Sequence, residues 1–349
     1  MADWDYIIIG SGSAGSALAY RLGEDGSKRI LVLEFGGTDA GPFIQMPAAL
    51  SYPMNMKTYD WGYRAEPEPG LGGRRLVCPR GKVIGGASSI NGMIFFRGHA
   101  LDYQHWSDQG ASGWDYASVL PYFRRMENSA ALRDGSSDGS FRGGDGPLHV
   151  TRGKRDNPLH QAFVEAATEA GYNATPDYNG QRQEGFGPAD MTVWKGQRWS
   201  AANAYLKPAL RRGNVKLITR ARVDRILFDG KRATGVRWTR HGKVHEASVA
   251  AEVICAAGAI NSPQILQRSG IGPGALLQSH GITPLVARDG VGENLQDHLE
   301  VYFQVACLQP ITLYKYLNLY SKARIGLQWM LTGGGFVATQ PFATLCIIR

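Results

Sequence analysis

Apolar runs and glycines alternate at the start of the chain in a way that predicts strands joined by a helix. Tyr6 to Ile9 is an unbroken apolar run, as expected of a strand covered on both faces. Gly10-Ser11-Gly12-Ser13-Ala14-Gly15 follows, and then Ala17, Leu18 and Leu22 recur at helical spacing. A second apolar run, Ile30 to Leu33, ends in Glu34. Further helices are expected over 114–126 (Leu120, Tyr122, Phe123), 158–170 (Leu159, Phe163, Ala167), 200–210 and 261–269. Five strands are expected over 215–219, 223–228, 234–238, 244–249 and 252–256, with Asp229-Gly230 as a hairpin turn. Residues 59–69 look extended and irregular. Residues 79–98 carry too many glycines for a stable helix, but their small side chains let backbone lie close to a ligand. Residues 133–147, polar and glycine-rich, read as a surface connection.

The opening strand, glycine turn, helix, strand and acid form a dinucleotide-binding βαβ unit. Gly10 permits the tight turn, Gly12 admits a pyrophosphate and Gly15 lets the helix pack on the strand. The helix N-terminus offers free N–H groups and partial positive charge to phosphate. Glu34 at the end of the second strand accepts from ribose hydroxyls and repels a 2′-phosphate, which disfavours NADP.

The bulk numbers narrow the class. A chain of 349 residues, 43% hydrophobic and 19% charged, suits a globular α/β protein of about two domains. The net charge is +8, but the basic residues are scattered in pairs such as Arg74-Arg75, Arg124-Arg125 and Arg211-Arg212. Without a basic stripe and interleaved aromatics, nucleic acid is not the expected partner. Cys78, Cys255, Cys307 and Cys346 stand apart, so neither a zinc site nor a disulfide framework is indicated and no metal is expected. No apolar run is long enough for a transmembrane helix, and the first strand leaves no room for a signal peptide. A cytoplasmic protein is expected, with peripheral contact to the inner face of the membrane allowed by its charge.

Longer motifs carry a family resemblance. The segment Arg80 to Gly98, the segment Gly258-Ala259-Ile260-Asn261-Ser262-Pro263-Gln264 with Ser269-Gly270-Ile271-Gly272, and the block Gly290 to His298 occur in the right order. On these the chain resembles the glucose–methanol–choline (GMC) flavin oxidoreductases over nearly its whole length. Met46 to Leu50, Asp177 to Gly187, Lys195 to Ala201 and Gln309 to Tyr314 resemble the choline-oxidising members.

The resemblance implies a Rossmann-like FAD-binding domain with an α+β substrate domain. The FAD-binding part is expected over 1–38, 75–150 and 200–297, and substrate-domain portions over 39–74, 151–199 and 298–349. It implies FAD rather than NAD, and oxidation of choline, or another primary alcohol, with electrons passed to a membrane quinone or respiratory acceptor. Choline would go through betaine aldehyde to glycine betaine. Gly10, Gly12, Ser13, Ala14 and Gly15 would hold the pyrophosphate, and Glu34 the ribose. Val83, Gly85, Gly86, Ser88, Asn91, Gly92, Met93 and Ile94 would line the flavin ring and its linker, Val223 the adenine, and Ala257-Gly258 would close the site. Ile90 stands where some relatives carry a tethering His, so the FAD is expected to be non-covalent. For a trimethylammonium group the resemblance points to Glu300, on one face with Tyr302 if 298–303 is a strand, and Trp61 is a second aromatic wall. The family's catalytic His and its His or Asn partner lie towards the C-terminus of relatives, beyond position 349. No histidine here matches that motif; His298 reads as structural or near the site. The chain is thus expected to be an N-terminal fragment, inactive and poorly stable alone, or a non-catalytic FAD-binding remnant.

Overall fold

The computed structural model describes residues 2–153, 156–339, 341–342 and 344–348; positions 340, 343 and 349 of the tail lie outside the described residues. The chain divides into two compact units. The first comprises Met1–Gly41, Ser51–Asn91 and Ser200–Phe303, and the second Pro42–Leu50, Gly92–Trp199 and Gln304–Arg349.

The first unit is built on a six-stranded sheet. Its elements are β1 (Trp4–Ile9), α1 (Ser13–Leu22), β2 (Ile30–Leu33), β3 (Val215–Ile218), β4 (Arg222–Asp229), β5 (Arg232–Arg240), β6 (Lys243–Cys255) and α2 (Gly258–Arg268). The strand order is β3-β2-β1-β6-β5-β4. The first four run parallel, and β4, β5 and β6 form an antiparallel meander. The strand alternation sorts the core into two layers. Ile7, Ile9, Leu31 and Leu33 face Val223, Val236, Trp238 and Ile265. Ile8, Ile30 and Val32 face Ala19, Ala209 and Val215. Each buried Ile, Leu or Val side chain here contributes about 1.5–3 kcal/mol.

Two expected strands, 244–249 and 252–256, are a single strand, β6. Its first half pairs with β5 as far as Ser248, and its second half pairs with β1 from Val249 to Cys255. Ala250-Ala251-Glu252 reads as a break, but the chain runs straight through from one partner to the other. Gly230, at φ +55°, makes the tight turn expected between β4 and β5, where Asp229 pairs with Arg232. The helix expected over 200–210 opens as a π-turn, Ala202–Leu206, before an α-turn, Lys207–Leu210. No helix of the described residues is long and apolar enough to cross a membrane.

The second unit has small sheets and helices around a polar core. Arg142, fully buried, donates through Nε to Glu127 at 2.9 Å and through Nη1 to Asp177 at 2.7 Å and Asp190 at 2.9 Å. Arg97 joins Glu127 at 2.7 Å. The segment 133–147 is therefore not merely a surface connection, because Arg142 sits at the centre of this cluster. The packing also divides the chain elsewhere than the expected domain boundaries. Residues 92–150 belong to the second unit, where Arg97 and Arg142 share the Glu127 carboxylate and Arg142 also pairs with Asp177 and Asp190. Residues 51–74 belong to the first unit. Elements that were not anticipated include a helix over Ala100–Asp108, a helix over Leu319–Thr332, and a strand over Thr344–Ile347 that pairs antiparallel with Gly185–Pro188.

Candidate nucleotide-binding site

The C-terminal ends of β1, β2 and β6 open on a cavity of about 570 Å³ in the first unit, within the ~300–1,000 Å³ usual for small-molecule sites. Gly10 enters the turn after β1 at φ +96°, and a Cβ there would lie 2.5 Å from the Ala256 carbonyl oxygen. A Cβ on Gly15 would lie 1.9 Å from the Gly10 carbonyl oxygen, so only glycine lets α1 close onto the strand. Gly86 brings a second loop against the turn: its Cβ would fall 2.7 Å from the Gly12 Cα. Two bare backbones thus meet where a phosphate must approach.

The N-terminus of α1 faces this cavity. Its N-cap is Gly12, no side chain caps it, and its first turn holds no acid. Gly12, Ser13 and Ala14 line the cavity, so the orphan N–H groups and the positive end of the helix are left for an anion. Glu34 closes the other end at 7% exposure. Its Oε2 accepts from the Ser11 N–H at 2.9 Å and the Ser11 hydroxyl at 2.8 Å, and its Oε1 from the Gly36 N–H at 2.7 Å. Burial raises its pKa, and these hydrogen bonds pull the other way. An oriented carboxylate, bare N–H groups and a cradle that any Cβ would fill together fit the ADP half of FAD.

The structure brings Gly10, Gly12, Ser13, Ala14, Glu34, Gly86, Val223, Ala257 and Gly258 to one cavity wall or another. Gly15 and Val83 lie behind it, as packing: Val83 is fully buried and bridges Gly37. Gly85 donates its N–H to the Ser11 carbonyl. The Ser88 hydroxyl donates to the Gly85 carbonyl at 2.6 Å and accepts from the Ala201 N–H at 2.9 Å, so it braces the turn against the π-turn segment. Asn91 is exposed at the end of its segment. Gly92, Met93 and Ile94 belong to the second unit, where Met93 is fully buried against Met191 and Val193 and Ile94 bridges Met191.

Trp61 lines the cavity with Glu34. Glu300 and Tyr302 do not line it. The strand expected over 298–303 is absent: no neighbouring strand pairs with this segment among the described residues, and Tyr302 is 81% exposed. Glu300 and Tyr302 still meet, because the Tyr302 hydroxyl bonds to the Glu300 carboxylate, which raises the phenol's pKa. His298 is exposed, with its N–H on the Asp297 carboxylate at 2.8 Å. Sequence reasoning missed Phe35, Tyr63, Arg80 and Asn261, which also line the cavity. The aromatic-rich stretch 59–63 and Asn261 within a family motif were the available signals. Arg80 also holds Asp297 at 2.9 Å.

The GMC oxidoreductase family matches residues 4–300. The chain belongs to this family of flavin oxidoreductases, and FAD is its cofactor. Among curated relatives, the oxygen-dependent choline dehydrogenase of Brucella anthropi is 59% identical over 345 residues, which is 99% of this chain and 62% of the relative. The chain thus spans less than two thirds of the curated relatives it matches. The solved structures that resemble it include the following two. Pyridoxine 4-oxidase from Mesorbium loti is 34% identical, with a TM-score of 0.76, covering 82% of this chain and 55% of that one. An FAD-dependent oxidoreductase from Chaetomium thermophilum is 29% identical, with a TM-score of 0.85, covering 98% and 61%.

Proposed function

We propose that the chain is the flavin-binding portion of a dehydrogenase that oxidises choline to betaine aldehyde and on to glycine betaine. What carries this reading is the glycine-framed cavity with its ordered Glu34, on a chain 59% identical to a relative named for choline. In this reading the first compact unit is the dinucleotide-binding domain and the second is part of the substrate domain.

Bound FAD supplies the two-electron acceptor for an alcohol carbon. The chain's own residues bind and orient. The N-terminus of α1 would hold the pyrophosphate, Glu34 would take the ribose hydroxyls, and the Gly85–Gly86 turn braced by Ser88 would present backbone to the flavin. The FAD is held without a covalent bond, since Ile90 has no atom to tether it. Glu300 opposes the trimethylammonium charge and Tyr302 offers it an aromatic face, as a cation without N–H donors requires. Among the described residues no histidine lines the cavity, so the base for the hydroxyl is not assigned within this chain. Electrons pass to a membrane quinone or another respiratory acceptor, with oxygen as the alternative that the relative's name raises.

A chimaera joining residues 1–349 to the remainder of the Brucella anthropi relative tests the substrate. Choline is expected to bleach its flavin faster than an uncharged primary alcohol does. Glu300→Gln is expected to raise KM for choline about 10-fold, the loss of one charge–cation contact, and to leave the uncharged alcohol unaffected. Equal losses for both would remove Glu300 from the site. Bleaching by uncharged alcohols alone would replace choline as the substrate.

A further inference from the structure

The stretch Lys195 to Trp199 lines no part of the nucleotide cavity, but it belongs to a hairpin that ties several segments of the second unit together. Val193–Trp194 pairs antiparallel with Gln197–Arg198. Lys195 and Gly196 turn between them at φ +50° and +72°, as a two-residue hairpin requires. A Cβ on Gly196 would lie 1.7 Å from the Gly333 carbonyl oxygen. The Gly196 carbonyl accepts from the Trp329 indole N–H at 2.6 Å, and the Trp199 indole N–H donates to the Pro147 carbonyl at 2.8 Å. His149 touches both tryptophans of this hairpin. Its ring stacks on Trp194 with centroids 4.0 Å apart and planes 6° apart, and it meets Trp199 edge-on at 5.2 Å and 70°.

The charge around this ring has one sign. Arg133, from the short helix Ala130–Arg133, lies 5.6 Å from the centre of the Trp194 ring, and the Lys195 ammonium lies 6.0 Å from it. Arg133 also donates to Asn128, the residue that pairs with His149 in the neighbouring strand. The acids on the flanking strands are engaged elsewhere: Glu127 by Arg97 and Arg142, and Asp190 by Arg142 and Arg152. The His149 Nδ1 is buried and has no hydrogen-bond partner among the described residues. An imidazolium carries a proton on both nitrogens, so charging the ring buries a donor that nothing accepts. Attraction of that cation to the indole faces acts the other way, but two cations already lie over Trp194. Burial first, and then Arg133 and Lys195, hold the His149 pKa below the ordinary 6.5. We propose that His149 is a proton-operated pin on this hairpin: neutral, it clamps Trp194 and Trp199 to the strand Leu148–Arg152, and charged, it frees the Lys195-Gly196 turn and its hold on Trp329. The stability the pin contributes is complete above the ordinary histidine value and is lost as pH falls through the lowered one. The pin is independent of the flavin reading.

Trypsin cleavage after Lys195, which is exposed, reads opening of the hairpin, since cleavage follows the population of the open form. Each rate is divided by that of a free peptide of residues 190–201 at the same pH. For the 349-residue chain this ratio is expected to rise about 5-fold or more between pH 8 and pH 5, the effect of leaving one buried donor unpaired. His149→Phe keeps a ring in the stack but takes no proton, and its ratio is expected to stay flat. His149→Gln, which cannot titrate either, replaces it if circular dichroism shows the phenylalanine variant unfolded. An NMR titration of His149, assigned by its absence from either variant, is expected to have its midpoint below 6.5, and the cleavage profile is expected to follow it. A flat ratio in the wild-type chain, an equal rise in a folded variant, or a His149 midpoint at or above 6.5 overturns the pin.

Discussion

Glu34 combines recognition with a cost. Its carboxylate is enclosed and its pKa raised by burial, so the folded chain without nucleotide holds this proton more tightly than the unfolded chain does. The sign follows. The stabilising contribution is complete below the ordinary glutamate value and is lost as pH rises through the raised one. Glu34→Gln is expected to flatten that part of the stability profile, measured by thermal melts of the nucleotide-free chain between pH 4 and 8. It is also expected to weaken FAD binding about 10- to 100-fold, since charge-assisted hydrogen bonds contribute about 1.5–3 kcal/mol. Glu34 and the glycines could be read from the sequence because strand, turn, helix and acid are contiguous. Phe35, Tyr63 and Asn261 were missed: the aromatic stretch and the motif mark two of them as notable, but the cavity they share arises from chain crossings that no local pattern encodes.

At the scale of elements, the turn over Gly86–Ser89 is held from behind. Ser88 connects the Gly85 carbonyl to the Ala201 N–H at the start of the π-turn. Ser88→Ala removes both contacts and leaves one partly buried N–H without its acceptor. A loss of about 1–2 kcal/mol is expected in urea unfolding, with weaker FAD binding because the turn loosens. The sheet itself was largely readable, since β1, β2, β3 and β4 each begin or end at a clear apolar boundary. β6 was not, because its exposed Ala250-Ala251-Glu252 stretch interrupts the apolar pattern while the backbone continues. The helix over Ala100–Asp108 escaped notice for a related reason. It buries no residue, so its sequence carries no apolar stripe.

For the whole molecule, stability rests on two different kinds of interior. The first unit is layered hydrocarbon, and the second encloses Arg142 with three carboxylates. Residues 97, 127, 142, 177 and 190 are too far apart in sequence for any periodicity to announce the cluster. Replacing Arg142 with Met leaves those carboxylates buried without their shared cation. That is expected to cost about 3–5 kcal/mol, read as a lower urea midpoint for the second unit. Elsewhere the surface is unusually apolar: Leu299, Phe303 and Leu308 are 92%, 92% and 100% exposed. Limited proteolysis is expected to cut first within this stretch, which has neither helix nor strand over residues 293–307.

Because β6 is a single span of 13 residues, the meander and the parallel sheet share one backbone. Deuterium uptake should register this directly. Amides of Val236 and Ile254 belong to different pairings, yet they should exchange with one common opening free energy, in a single cooperative opening. A nucleotide that slows the one should slow the other by the same factor, although only one of these strands ends at the ligand.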